Sequence, residues 1–219
     1  MLSGRLCIAS MTLGALKTNL YTVIKYSQQR KGVSPNGKSE TPIFDYQLQQ
    51  NALVPLIAKT FALCFLHNFS KVTFADPTGH ENDLLAICCV DKTMIGWHAE
   101  RVVSITRERS GGQGFLAANG FAEGYAGAHA ALTAEGDNRV LMVKVVKDLL
   151  SIYMKQPDYF YQGEPVKLTD IKQLHCLKTL STIFLVKEKQ KLDNLLAKMT
   201  HLKGSGKSSY DILMFETSD

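Results

Sequence analysis

The sequence predicts an all-α fold, a bundle of long helices. Three observations point that way. Apolar residues recur at helical spacing over several long stretches, and the gaps between them carry Gly, Pro and Asn stop signals. Strand alternation is almost absent, Val72 to Asp76 being the only short candidate. Helices of this length joined by short loops pack antiparallel around one core, and 219 residues at 45% hydrophobic content supply enough apolar surface to form it.

The first helix spans Leu2 to about Arg30. The apolar stretch after Arg5 has the look of a signal-peptide core, with no acid before Glu40. Its helical pattern nevertheless runs on through Leu16, Leu20, Val23 and Ile24 to Tyr26, well past such a core, which favours an amphipathic helix. Lys31-Gly32 and the Ser34-Pro35-Asn36-Gly37 run stop it. A second helix follows Pro42, with Pro55 as internal breaker and the expected point of a kink. The loop around Asp76-Pro77-Thr78-Gly79 closes it.

A third helix starts near Asn82 and stops at Gly111-Gly112. An irregular segment then leads to Glu135. Beyond it a fourth helix, with Val140, Leu141, Val143, Val145, Val146, Leu149 and Leu150 at helical spacing, runs to about Met154. Thr169 fits the N-cap of a long final helix through Met199, closed by Lys203-Gly204-Ser205-Gly206. The last residues begin another apolar periodicity.

Composition excludes several classes. The net charge of +5 is scattered over the helices and mixed with acids, so it favours small anionic ligands and is no nucleic-acid footprint, which needs clustered Lys and Arg with aromatic partners. Cys7, Cys64, Cys88, Cys89 and Cys176 lie in apolar runs without CxxC or Cys/His spacing, as expected of reduced, buried thiols. The histidines are dispersed, and no pair has metal-ligand spacing, so no metal is expected. Lys59, His67 and Lys144 interrupt the longest apolar runs before the roughly 18 uninterrupted residues of a membrane span, so none is expected.

Chemistry concentrates between Arg107 and Leu150. Gly111, Gly112 and Gly114 permit a tight turn whose backbone N–H groups take phosphate. GGQG does not follow a strand, so a Rossmann loop fits poorly and a helix C-cap with a turn is the competing reading. Glu135 stands at a helix mouth with Asp137-Asn138 behind it. It reads either as an acid interacting with the helix dipole or as a general base beside an apolar pocket, where burial raises a carboxyl group's pKa at about 1.4 kcal/mol per unit. The residues leave both readings open. GSGKSS at Gly204 to Ser209 is no Walker A loop, because His201 stands where the motif needs its first Gly and a helix precedes it.

Taken together, these segments resemble one family. LSGRLCIASMTLGAL and KYSQQRKG are similar to the start of the bundle domain of the flavin-dependent acyl-CoA oxidases and to its RYSxxRxQF segment. IFDYQLQQNALVPLIAKTFAL resembles the family's DYQxQQxxLxPLxAxxyA helix, RERSGGQGF its CREACGGxGy turn, and TAEGDNRVLM its xFEGDNxVLM segment. LDNLLAKMTHLKGSGKSSYDILMFETSD is similar to the start of a second C-terminal helical domain.

The resemblance implies a four-helix bundle over residues 1–156 and the start of a second helical domain over 157–219. It implies oxidation of a fatty acyl-CoA to the trans-2-enoyl-CoA, with FAD as cofactor and oxygen as acceptor, in a peroxisomal homodimer. By motif, Glu135 falls on the catalytic base. Arg30 and Gln47 fall on positions that contact FAD, often that of the partner subunit, and Gly111 and Gly112 on the turn near its pyrophosphate. Some positions depart from the pattern. Ala134 replaces an aromatic residue before the base, Lys25 and Gly32-Val33 replace Arg and Gln-Phe, and Ser110 replaces a Cys. The N-terminal helical and central β domains of the family have no counterpart here, nor has a Ser-Lys-Leu type signal, so the sequence reads as part of an oxidase. A non-catalytic assembly module and a dehydrogenase with a protein electron acceptor are the alternatives.

Overall fold

The computed structural model describes residues 1–156, 160, 163, 170, 172, 175–204, 206 and 208. They form α1 (Leu2–Gln29), β1 (Lys31–Val33), β2 (Ser39–Pro42), α2 (Gln47–Ala75), α3 (Leu84–Arg109), α4 (Phe121–Thr133), α5 (Asn138–Lys155) and α6 (Leu177–Lys203), with short 3-10 turns before α2 and between α3 and α4. The chain divides into two compact units, Met1–Met142 and Val143–Asp219, the division falling inside α5.

In the first unit α1 packs against α2, α3 and α4. Ala9, Leu13, Leu16 and Leu20 on α1 recur at helical spacing. They meet Leu56 and Leu63 of α2, Ile95, Ala99, Val102 and Val103 of α3, and Ala128 of α4 in one core. A second cluster, Val23, Leu53 and Phe121, closes the end of the bundle next to the hairpin. In the second unit Leu150, Phe160, Leu192 and Met199 form a small core, beside which the Tyr153 hydroxyl donates to the Asp193 carboxylate.

The all-α expectation holds, and the structure corrects four details of it. The segment expected to be irregular contains α4. One of its two glycines is a packing site: a Cβ on Gly124 would lie 2.4 Å from Asn19 Nδ2 on α1, so glycine lets the two helices approach there. Val72 to Ala75 are the last turn of α2 and not a strand, because helix propagation outweighs the weak β preference of Val and Thr. The loop after α1 instead folds into an antiparallel hairpin, with Gly37 at φ 79° in its turn. α2 starts at Gln47 and continues as helix through Pro55. The final helix is described from Leu177 with Cys176 as N-cap, and the Thr169 cap lies outside the described residues.

Two further expectations are adjusted. Cys88 and Cys89 are buried and no disulfide joins any of the five cysteines, but Cys7 and Cys176 are exposed. Among the described residues α2 is long and apolar enough, by length and composition alone, to cross a membrane. Its buried face mixes Leu53, Leu56 and Leu63 with Gln49, Thr60, His67, Ser70 and Thr73, while Phe61, Phe65, Phe69 and Val72 point outward.

Candidate functional site

The turn between α4 and α5 is held in an unusual backbone state. α4 ends at Thr133, Ala134 is extended, and Glu135 has φ 59°, the sole non-glycine residue at positive φ among the described residues. The left-handed region costs an L-residue roughly 1–2 kcal/mol, so the surroundings must impose it. Gly136, at φ 112°, completes the reversal. Asp137 caps α5, its Oδ1 accepting the N–H groups of Arg139 (2.9 Å) and Val140 (3.2 Å).

A buried lysine imposes the turn. Lys92 on α3 is 1% exposed, and its ammonium donates to Gly136 O (2.7 Å), Asn138 Oδ1 (2.7 Å) and Leu132 O (3.3 Å). One group therefore binds the C-terminal end of α4, the turn and the first residue of α5. Burial pushes the pKa of Lys92 down, opposed by the field of Asp137. Asn138, also buried, donates to Thr93 O (3.4 Å), tying the turn a second time to α3.

From the other side α1 touches the same corner. Arg5 Nε donates to Glu135 O (3.3 Å). The Glu135 carboxylate lies over Gly4, where a Cβ would come within 2.4 Å of Glu135 Cδ. The backbone N–H of Glu135 makes no hydrogen bond among the described residues. A carboxylate and a free N–H thus sit together on one clamped turn, a pair that can accept a proton and donate to a developing oxyanion. Glu135 is exposed, so the burial expected for a base is not supplied here by the helices; the corner stands on the rim of the bundle.

A second corner forms where α1 ends and α3 turns. A cavity of about 380 Å³ is lined by Arg30, Tyr26, Ser110, Gly112, Gln113 and Asn119, among others. Arg30 is the exposed C-cap of α1, and the side-chain position of Gly112 is open. Gly114 is obligatory, because a Cβ would lie 2.2 Å from Arg107 O, and Arg107 Nε donates to Gly114 O (3.3 Å). This set of a guanidinium, amides, hydroxyls and an uncovered glycine turn fits an anionic, hydroxyl-bearing group such as a dinucleotide.

The structure brings Arg30 and Gly112 to one cavity. Gly111, at φ 57°, lines a neighbouring one of about 350 Å³ with Arg107 and Phe115. Gln47, the exposed first residue of α2, lines neither. The buried glutamine of that turn is Gln49, whose Nε2 donates to Ser27 Oγ (2.8 Å) and Arg109 O (3.1 Å) and joins three helices. Sequence reasoning passed over Gln49, although its four- and seven-residue spacing to Leu53 and Leu56 puts it on the buried face. It also passed over Lys92, whose charge hides its burial. Glu135 stands beyond the far end of α4 from Phe121, which lines the Arg30 cavity. A 13-residue helix is about 20 Å long, so the two corners are separate.

Residues 1–150 match the family model described as acyl-CoA oxidase, C-alpha1 domain. The chain is 30% identical over 222 residues to acyl-coenzyme A oxidase 3, peroxisomal, of Arabidopsis thaliana, an alignment covering 94% of this chain and 33% of that protein. The fold is similar to the crystal structure of acyl-CoA oxidase 1 from Yarrowia lipolytica, with TM-score 0.82 and 23% identity over 99% of this chain and 36% of that one. It is similar also to acyl-CoA oxidase-1 of Caenorhabditis elegans complexed with FAD and ATP, with TM-score 0.83 and 20% identity over 100% of this chain and 35% of that one. The chain spans about a third of the length of the curated relatives it matches.

Proposed function

The chain belongs to the acyl-CoA oxidase family, and on that premise we propose that it supplies the base-bearing helical part of an FAD-dependent oxidase. The whole protein would convert a fatty acyl-CoA and oxygen to the trans-2-enoyl-CoA and hydrogen peroxide, in the peroxisome. The observation that carries this reading is the clamped Glu135 turn, with its carboxylate and free N–H side by side.

In the proposed reaction the Glu135 carboxylate takes the α-proton of the thioester. Such a proton is very weakly acidic, so charge must be stabilised on the thioester oxygen as it leaves, and the Glu135 N–H is a donor for it. Lys92 holds both groups in place through Gly136 and Asn138. Bound FAD would accept the β-hydrogen as hydride. Arg30 and the Gly112 turn would hold its anionic part, with Gly111 shaping that turn and Gln47 near its α1–α2 side. Water must be excluded from Glu135 by protein outside the bundle, since the corner is exposed.

The separation of the two corners, about 20 Å, supports a homodimer in which they serve different cofactors. The outward phenylalanines of α2 supply an apolar face for it. That same face favours a second reading, a helical assembly module without catalysis.

A chimera separates the two. This chain replaces the matching segment of the Arabidopsis oxidase, and flavin content and peroxide release from acyl-CoA are measured. The oxidase reading expects a yellow, active chimera whose Glu135→Gln form stays yellow and loses desaturation. Assembly without flavin would favour the module, and activity retained in Glu135→Gln would remove Glu135 from its role. Reduction of a dye in place of oxygen would point to a dehydrogenase.

A further inference from the structure

Three helices bring together a hydroxyl, an imidazole and a carboxylate, the last on the residue next to Lys92. Ser10 Oγ on α1 lies 2.6 Å from His67 Nε2 on α2, and His67 Nδ1 lies 2.8 Å from Asp91 Oδ2 on α3. His67 is 4% exposed and Asp91 is fully buried, whereas Ser10 is at the surface. We propose that Ser10 is an acyl-acceptor nucleophile, activated by His67 in an orientation fixed by Asp91, which takes acyl groups from activated esters and thioesters.

The geometry sets the roles. The other oxygen of Asp91, Oδ1, is buried without a hydrogen-bond partner, so the carboxyl group directs its one hydrogen bond at the imidazole; burial pushes its pKa up, opposed by that hydrogen bond and by the charges of His67 and Lys71. With Asp91 ionised, Oδ2 accepts the Nδ1 proton, and that tautomer leaves the Nε2 lone pair facing the Ser10 hydroxyl. Nucleophile to base and base to orienting group are both within hydrogen-bond reach. Glu135, Arg30 and the glycine turn take no part in this set.

The step balances without a further reagent. As Ser10 Oγ attacks the carbonyl carbon, its proton passes to His67 Nε2. The carbon–sulfur or carbon–oxygen bond of the donor breaks, and the leaving thiolate or alkoxide takes that proton from the imidazolium. The product is an oxygen ester on Ser10. Ser10 sits inside α1, whose backbone N–H groups are bonded within the helix, so no backbone oxyanion hole faces it. The site therefore accepts one acyl group and releases it slowly, as a modification site and not a turnover hydrolase.

The test uses the 219-residue chain and p-nitrophenyl acetate, with adducts mapped by tandem mass spectrometry. Neutral hydroxylamine first strips thioesters, because Cys7 is exposed one turn from Ser10 on the same helix. Ser3, exposed on α1 and without a histidine partner, is the internal reference within the same molecule. Acetyl-Ser10 is expected to form about 100-fold faster than acetyl-Ser3, the lower end of general-base assistance, and His67→Gln should remove that excess while circular dichroism stays helical. Equal labelling of Ser3 and Ser10 would overturn the proposal without any variant. So would Ser10 labelling that survives His67→Gln.

Discussion

The ammonium of Lys92 lies 2.7 Å from the carbonyl oxygen of Gly136, so a charge buried in α3 holds the residue that follows Glu135. Replacing it with Met would leave that carbonyl, Leu132 O and Asn138 Oδ1 without their donor. Each unsatisfied buried acceptor costs about 1–3 kcal/mol, partly offset because no charge is then buried. Lys92→Met should lower stability by about 3 kcal/mol in urea unfolding, and in the chimera it should reduce desaturation by more than any change in flavin content.

Gly4→Ala separates position from stability. The new Cβ would meet the far end of the Glu135 side chain, which can swing away, so unfolding should change by under about 1 kcal/mol. The carboxylate would be displaced by about an ångström, and misplacements of that size cost about 100-fold in rate. Steady-state kinetics of the chimera checks this: kcat should fall while flavin binding stays unchanged.

Much of this was legible in the sequence because α1, α3 and α5 are long and periodic, and their ends at Gln29, Arg109 and Lys155 fall within two residues of the expected stops at Arg30, Gly111 and Met154. α4 was not, because Gly124 and Gly127 read as breakers until Asn19 of α1 is seen against the first of them. The candidate site was legible through its motifs, in Glu135, Arg30 and the glycine turn. Its supports were hidden. Lys92 and Gln49 carry polar side chains into the interior, against the usual rule, and Ser10, His67 and Asp91 meet only through tertiary packing.

The glycine turn offers a contrast between two neighbours. Alanine at Gly114 places a Cβ 2.2 Å from the backbone oxygen of Arg107, which cannot move aside, and should cost about 3 kcal/mol with a matching drop in Tm. Alanine at Gly112 meets open space and should leave the unfolding free energy within about 0.5 kcal/mol of the parent. If the Arg30 cavity holds the cofactor's phosphates, Gly112→Ala should still weaken flavin retention by the chimera on dilution.

His98 makes stability depend on pH. Thr60 Oγ1 donates to Leu56 O (2.8 Å), so it accepts the Nε2 proton of His98 (2.9 Å) and leaves Nδ1 buried without a partner. Burial, with Lys59 adding to it, pushes the His98 pKa down to about 4 from 6.5. Between those values the unfolded chain binds the extra proton. The contribution is therefore complete above pH 6.5 and lost as pH falls toward 4, amounting to about 3 kcal/mol. Urea unfolding across this range should show a steeper fall for the parent chain than for His98→Gln.

Phe65 is 73% exposed at the centre of the outward row Phe61, Phe65, Phe69 and Val72, whereas the opposite side of α2 buries Thr60, His67 and Ser70. An exposed apolar row of this length, on the side of α2 away from its buried leucines and polar residues, is the kind of surface that marks an interaction site. For a homodimer, Phe65→Glu should place charge in the interface and raise the dissociation constant at least about 100-fold, since burying an unpaired charge costs several kcal/mol. The helix itself should persist, because the side chain makes little contact within the bundle. Sedimentation velocity over a dilution series, with circular dichroism as control, decides it: a chain that is monomeric at every concentration, with or without the substitution, would assign this face to protein outside these 219 residues.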